Sequence, residues 1–167
     1  MLALQGTLHV HQADQTITFR VDGCGRATNS LTLRRFAEQV LAAGATTLRV
    51  DLRRCTHMDS TFIGTLLQLK RAAEKGERGS LVLLSPSTQC SQILRQMGLD
   101  RMVVVESAAE EAGPWTELGG EEDPAAFKCN AVEAHQELAT LEGPVGETFR
   151  RVVRCLMQDP EAKKLEK

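Results

Sequence analysis

The chain has 167 residues, a formal net charge of −2, 42% hydrophobic residues and only 4% aromatic residues. This length allows one domain with a hydrophobic core plus a smaller appendage. The near-neutral charge and the scarcity of aromatic side chains argue against a nucleic-acid-binding surface. No run approaches the roughly 18 to 20 consecutive apolar residues of a membrane span. We therefore expect neither nucleic acid nor a membrane as a partner.

The cysteine pattern indicates free thiols in a reducing compartment. Five cysteines are scattered along the chain without a Cys-X-X-Cys pair. Small secreted proteins with disulfide frameworks show the opposite pattern, and the first residues lack the basic leader of a signal peptide. We therefore expect a cytoplasmic protein. Cys55 and His57 are too few ligands for a zinc site, and we expect neither a metal nor a cofactor.

Hydrophobic periodicity predicts alternating strands and helices up to about residue 106. Residues 7–11 and 16–21 alternate apolar and polar side chains, which is typical of a hairpin. A helix with Asn29 or Ser30 as its N-cap then ends at Gly44. Further along we predict, in order, a strand at 48–52, a polar loop at 53–58, a helix from Ser60 to Gly76, a strand at 80–85, a helix at 88–97 and a strand at 102–105. This β-β-α-β-α-β-α-β order predicts an α/β fold with a largely parallel sheet.

Composition divides the chain into a main domain at 1–106, a linker at 107–123 and a helical extension at 124–167. From residue 106 to residue 123 there are seven acidic residues and no basic ones, with glycine and proline interspersed. This composition is typical of a linker or a mobile loop. Helical patterns follow at about 124–141 and 145–157, and the second has an apolar stripe. We expect the extension to dock on its own domain, or to form a homodimer with a second copy.

The segment Asp59-Ser60-Thr61 is the strongest functional signal. It opens a helix directly after the strand at 48–52 and its polar loop. A helix N-terminus stabilises an anion through free N–H groups and the helix dipole. A phosphate on Ser60 would change the local charge by about −1.5 to −2. Ser60 and Thr61 as ordinary helix caps remain the alternative. No nucleophile–base pair or metal set is apparent, so we do not expect an enzyme.

The residues from Met58 to Gly64 resemble the STAS domain of bacterial anti-sigma-factor antagonists. That family typically reads strand, Met-Asp-Ser-Ser/Thr-Gly-Leu-Gly, helix. Here the stretch reads Met-Asp-Ser-Thr-Phe-Ile-Gly, so four motif positions match after Met58. The matching residues are Asp59, Ser60, Thr61 and Gly64. The element order extends the resemblance over roughly residues 6–106, and it implies a mixed sheet with helices packed on it.

The resemblance also implies a function. An antagonist of this family binds an anti-sigma factor that is a serine kinase, and phosphorylation of its serine ends the binding. Carried over to this chain, Ser60 is the phosphoacceptor, Asp59 orients it and Thr61 is a neighbouring hydroxyl. A phosphatase would reverse the modification. The resemblance places partner binding at Met58, Asp59, Thr61, Phe62 and Gly64.

Two residues depart from the family pattern. Phe62 stands where the family has a glycine, and it either adds bulk to the partner surface or folds under the helix. Arg26 lies where the loop after the second strand usually supplies an acidic residue. A guanidinium there would attract phosphate or another anion. Two alternative functions therefore stay open: a nucleotide or small-anion sensor that uses Arg26, and a scaffold subunit that associates through its C-terminal helices.

Overall fold

The computed structural model describes residues 5–120 and 123–158, and residues 159–167 of the expected extension lie outside this range. The strands are β1 (Thr7–Ala13), β2 (Thr16–Gly25), β3 (Thr47–Asp51), β4 (Cys55–Met58), β5 (Ser80–Leu84), β6 (Val104–Glu106) and β7 (Thr116–Glu117). The helices are α1 (Ala27–Ala42), α2 (Ser60–Glu74), α3 (Thr88–Gln96), α4 (Pro124–Ala139) and α5 (Gly143–Gln158), with a 3-10 turn at Leu99–Arg101.

The sheet is mixed, as the resemblance implied. Its strand order is β6-β5-β3-β2-β1-β7, and β4 pairs separately with the end of β2. The hairpin β1–β2 is antiparallel, whereas β2, β3, β5 and β6 run parallel to one another. Parallel neighbours need crossover connections, which the helices supply. The predicted α/β fold is therefore confirmed.

The core lies between the helices and one face of the sheet. In β3, Leu48 and Val50 are fully buried while Arg49 between them is only half-buried, which is the period-two pattern of a strand. Leu33 of α1 and Phe19 of β2 are also fully buried. Helix α2 is apolar on nearly all sides, since most of its residues from Thr61 to Leu69 are buried. A helix with this composition needs cover on its outer side as well.

The acidic segment crosses the other face of the sheet. This face carries charged side chains, among them Arg20 and His11. The Trp115 ring lies 4.5 Å from the Arg20 guanidinium carbon, a cation–π contact. The backbone carbonyl of Pro114 lies 2.9 Å from His11 Nδ1, and Arg54 forms an ion pair with Glu110. The described part of the expected linker is thus held against the domain along its length.

Helix α4 covers the outer side of α2, and α5 packs on α4. The buried residues of α4 are Asn130, Ala134 and Leu138, which are four apart and form one stripe. Both helices match the two helical patterns of the predicted extension. In this structure the extension docks in cis. No helix of the described residues is long and apolar enough to cross a membrane.

Three local predictions were wrong, each because a distant part of the chain decides the local structure. Part of the expected polar loop at 53–58 is β4, which pairs with an extension of β2 at Gly23, Cys24 and Gly25. The expected linker contains β7, which pairs with β1. Helix α1 starts earlier than expected, with Arg26 as N-cap.

Asn29 and Ser30 therefore have other roles than capping α1 from its first position. The Asn29 carboxamide oxygen accepts the backbone N–H of Arg26 at 2.8 Å. The Ser30 hydroxyl donates to the Arg26 carbonyl at 2.7 Å. Both side chains fix the first turn of α1 from inside the helix.

We expect Leu138→Ala to weaken the attachment of the extension. Leu138 is fully buried, and removing such a side chain costs about 2–5 kcal/mol of stability. Gln136→Ala, on the exposed side of the same helix, should change the free energy of unfolding by less than about 0.5 kcal/mol. Urea titration followed by circular dichroism measures both. Equal effects of the two substitutions would contradict the docking of α4 through this stripe.

Candidate functional site at the start of α2

The Asp59 carboxylate holds the starts of two helices. Its Oδ1 atom accepts the backbone N–H of Phe62 at 2.8 Å, which caps α2. Its Oδ2 atom accepts the backbone N–H of Ala27, the first residue of α1, at 2.9 Å. The backbone N–H of Asp59 donates to the Gly25 carbonyl at 2.9 Å. One residue thus joins the end of β2 to the starts of α1 and α2.

This arrangement is electrostatically favourable. The N-terminus of a helix carries a partial positive charge, and two such ends converge on the Asp59 carboxylate. Hydrogen bonds to an ionised acceptor are stronger than those between neutral groups. The helix cap is therefore Asp59, and the alternative interpretation of Ser60 and Thr61 as the caps of α2 is wrong.

Ser60 is the first residue of α2, and its hydroxyl contacts the extension. Its Oγ atom lies 2.9 Å from Nε2 of His135 in α4, a hydrogen bond between residues 75 positions apart. The His135 ring in turn stacks on Phe149 of α5, with 5.7 Å between ring centroids and 14° between ring planes. Sequence reasoning missed His135, because a single histidine on a helix carries no spacing signal.

The environment of His135 favours its neutral form. Burial lowers the pKa of the imidazole, and the negative charge of Asp59 and the Ala131 carbonyl offset this lowering only in part. At neutral pH the contact with Ser60 is therefore a hydrogen bond between two uncharged groups.

The backbones of α2 and α4 approach each other closely at Gly64. A Cβ atom at this position would lie 2.2 Å from the Ala134 carbonyl oxygen, which is far inside van der Waals contact. Further along α2, Arg71 forms an ion pair with Glu137 and donates to the Thr140 hydroxyl at 2.9 Å. Ser60, Gly64 and Arg71 lie on one side of α2, and we call this side the Ser60 face.

The other predicted partner-binding residues point into the domain. Met58, Thr61 and Phe62 are 2%, 6% and 0% exposed. Phe62 lies under the helix, in the core, and not on the predicted partner surface. Its ring lies so close to Gly25 that a Cβ there would be 2.8 Å from the ring. Of the residues in the motif, Asp59 and Ser60 are half-buried and reach the surface.

Arg26 lies next to the site without contacting its hydroxyl. It precedes Ala27, whose N–H binds Asp59, so its backbone is close to the start of α2. Its half-buried side chain forms no ion pair or hydrogen bond with Ser60 within the described residues. The structure therefore brings Asp59, Ser60 and His135 together, and it places the Arg26 backbone beside them.

Comparison with known proteins shows the family of the chain. The family model described as Mlab, STAS domain matches residues 8–106. This match spans more than half of the chain, and the chain belongs to the STAS-domain family. The resemblance inferred from residues 58–64 is therefore confirmed. The search of curated proteins finds no match.

Similar solved structures include anti-sigma factor antagonists. The unphosphorylated form of SpoIIAA is 24% identical, with a TM-score of 0.56 over 62% of this chain and 89% of that one. The phosphorylated form of SpoIIAA from Bacillus is 24% identical, with a TM-score of 0.53 over 62% and 92%. An antagonist from Mycobacterium paratuberculosis is 19% identical, with a TM-score of 0.52 over 60% and 85%. At this identity the likeness establishes the shared fold.

We expect Asp59→Ala to destabilise the domain more than Asp59→Asn does. Alanine removes both acceptors and leaves the N–H groups of Ala27 and Phe62 without their partner, at a cost of about 2 kcal/mol or more. Asparagine keeps one acceptor oxygen and should cost roughly half as much. Denaturant titration at neutral pH measures the difference. A loss below about 0.5 kcal/mol for alanine would contradict the double cap.

We expect the docking of α4 to weaken in mild acid. The pKa of His135 is lowered from 6.5 in the folded state, so the unfolded or undocked chain binds the proton more readily. The contribution of neutral His135 to the stability of the docked α4 is therefore complete above about pH 6.5. It is lost as the pH falls towards the lowered pKa. Hydrogen-exchange protection factors for α4 at pH 7.5 and pH 5.5 measure this.

The matched substitutions are His135→Gln and His57→Gln. The first should remove most of the pH dependence of α4 protection. The second replaces an exposed histidine near the site and should leave that dependence unchanged. Equal pH dependence in all three proteins would show that another group is responsible.

Proposed function

We propose that this protein is a regulator of the anti-sigma-factor antagonist type, which acts by partner switching and is controlled by phosphorylation of Ser60. The observation that carries this proposal is the position of Ser60. Ser60 is the first residue of α2, directly after the capping Asp59, and its hydroxyl is on the side of α2 that α4 covers. The neighbouring hydroxyl of Thr61 is buried and is a poor substrate for a kinase. Asp59 then acts by fixing the helix start that carries Ser60.

The mechanism that we propose is electrostatic. A phosphate on Ser60 adds a charge of about −1.5 to −2 next to a carboxylate that already occupies the helix N-terminus. A partner that covers this surface would have to bury that charge, and burying an unpaired charge is strongly unfavourable. The unphosphorylated protein would bind its partner, and the phosphorylated protein would release it.

The partners that we propose are an anti-sigma factor with serine kinase activity and a phosphatase. The support is the STAS family membership of residues 8–106, together with a fold shared with proteins named as anti-sigma factor antagonists. One of those neighbours, SpoIIAA, has been solved in a phosphorylated form. A cytoplasmic, bacterial setting is part of the same proposal.

The two alternatives have less support from the geometry. An anion sensor would use the Arg26 side chain, but this side chain makes no bond to Ser60 within the described residues. A scaffold that dimerises through its C-terminal helices would need a free surface on them. The inward stripe of α4 is already covered by its own domain, and association through α5 stays a prediction.

We expect the protein purified from its own host to carry one phosphate on the peptide that contains Ser60. Intact-mass and phosphopeptide analysis measures this for the wild type, for Ser60→Ala and for Thr61→Val. The phosphate should be absent from Ser60→Ala and retained in Thr61→Val, which removes the buried hydroxyl without changing the side-chain shape. No phosphate in growing, stressed and stationary cells would contradict the switch.

A further inference from the structure

The Ser60 face is already occupied by a helix of the same chain. Ser60 binds His135, Gly64 touches the backbone of Ala134, and Arg71 binds Glu137. These contacts span α2 from its first residue to its last turn. Any protein that binds here would meet α4 before it met α2.

The shape of the face selects for a helix with a small residue. At Gly64 the two backbones approach so closely that even a methyl group on α2 would collide with the Ala134 carbonyl. Such an approach is available to a helix that carries a small side chain at its crossing point. Ala134 is that residue in α4, and it is fully buried. Gly64 therefore makes this face complementary to a closely packed helix.

The contacts that hold α4 are of a reversible kind. In the Arg71–Glu137 ion pair the arginine side chain is 56% exposed and the glutamate side chain 14%, so water reaches the pair from the arginine side. The Ser60–His135 hydrogen bond joins two neutral groups. The apolar contacts come from the α4 stripe, in which Ala134 and Leu138 are fully buried, and from Leu141 just after the helix. A competing helix that makes comparable polar and apolar contacts with the Ser60 face could replace α4, because all these contacts are noncovalent.

We propose that the Ser60 face is a helix-binding surface which α4 masks in cis, and that an external partner binds it with an α-helix that has a small residue over Gly64. The helices α4 and α5 must then swing away before the partner docks or a kinase reaches Ser60. This inference rests on the proposed function for the identity of the partner, but the masking itself does not depend on phosphorylation.

The contact between Ser60 and His135 leaves no room for a phosphoryl group. Nε2 of His135 lies at hydrogen-bond distance from the Ser60 hydroxyl, and a phosphoryl group does not fit between two atoms so placed. The added negative charge would also face Asp59, whose charge already acts on His135. Phosphorylation of Ser60 therefore requires its present contact with His135 to open.

The test measures access to position 60 in the full chain. Ser60→Cys introduces a thiol of nearly the same size, and its alkylation by N-ethylmaleimide is followed by peptide mass spectrometry. The exposed Cys155 gives the rate for a freely accessible thiol, whereas the buried Cys24, Cys55 and Cys90 report any unfolding. The thiol at position 60 should react far more slowly than Cys155.

Two substitutions in α4 form the matched pair. Ala134→Gln places a large side chain at the crossing point and should displace α4. Gln136→Ala changes the exposed side of the same helix. Combined with Ser60→Cys, the first should raise the alkylation rate at position 60 at least ten-fold, and the second should not change it. If Ala134→Gln makes the buried cysteines reactive, Leu138→Ala replaces it as the milder variant.

A synthetic peptide of residues 123–141 tests the helix-binding property with the same readout. Added in excess to the Ser60→Cys, Ala134→Gln protein, it should slow the alkylation of position 60 again. A peptide with Ala134→Gln should not. Failure of the unmodified peptide to protect the thiol would overturn the assignment of this face as a helix-binding surface.

The outcomes separate this inference from the proposed function. Position 60 reacting as fast as Cys155 in an undisturbed chain would overturn the masking, even if Ser60 is phosphorylated in the host. Unchanged rates after displacement of α4 would overturn it too. Slow alkylation that accelerates as expected, without any phosphate on Ser60 in the host, would support the masking and contradict the phosphorylation switch.

Discussion

The Asp59 carboxylate is the constraint on which the rest of the site depends. It accepts N–H groups from the first turns of α1 and α2, while its own backbone N–H is bound to the end of β2. The position of Ser60 relative to the sheet is set by these three hydrogen bonds. A carboxylate suits this place because two positive helix ends meet there. Asp59 therefore acts on Ser60 by fixing the start of α2, through hydrogen bonds to backbone N–H groups.

Much of the domain was predictable because its signals are local. Strands such as β3 alternate or bury apolar side chains over five residues, and α2 follows a capping carboxylate with a long apolar run. What was missed depends on distant pairing. Nothing within residues 53–58 marks β4 as a strand, because its partner is an extension of β2. The acidic segment has the composition of a linker, and its contacts come from distant parts of the chain, among them Arg20 and His11 on the sheet.

The site shows the same division between local and distant signals. The motif around Ser60 could be identified because its residues are consecutive. For Phe62 the sequence left two positions open, on the partner surface or under the helix. His135 could not be found, since it is 75 residues away and its role arises only when α4 docks. One hint did exist in the sequence. Helix α2 is apolar on nearly all sides and contains Gly64, a combination that calls for a second layer of closely packed structure over it.

The composition of that second layer bears on how the site can respond to a signal. The polar contacts at the two ends of the Ser60 face, one to His135 and one from Arg71, set the position of α4. The stripe through Ala134 and Leu138 supplies the apolar contact. A charge added at Ser60 acts directly on one of these contacts, because the serine hydroxyl bonds to His135. A modification of Ser60 would therefore act on the docking of α4 as well as on the surface that an external partner meets.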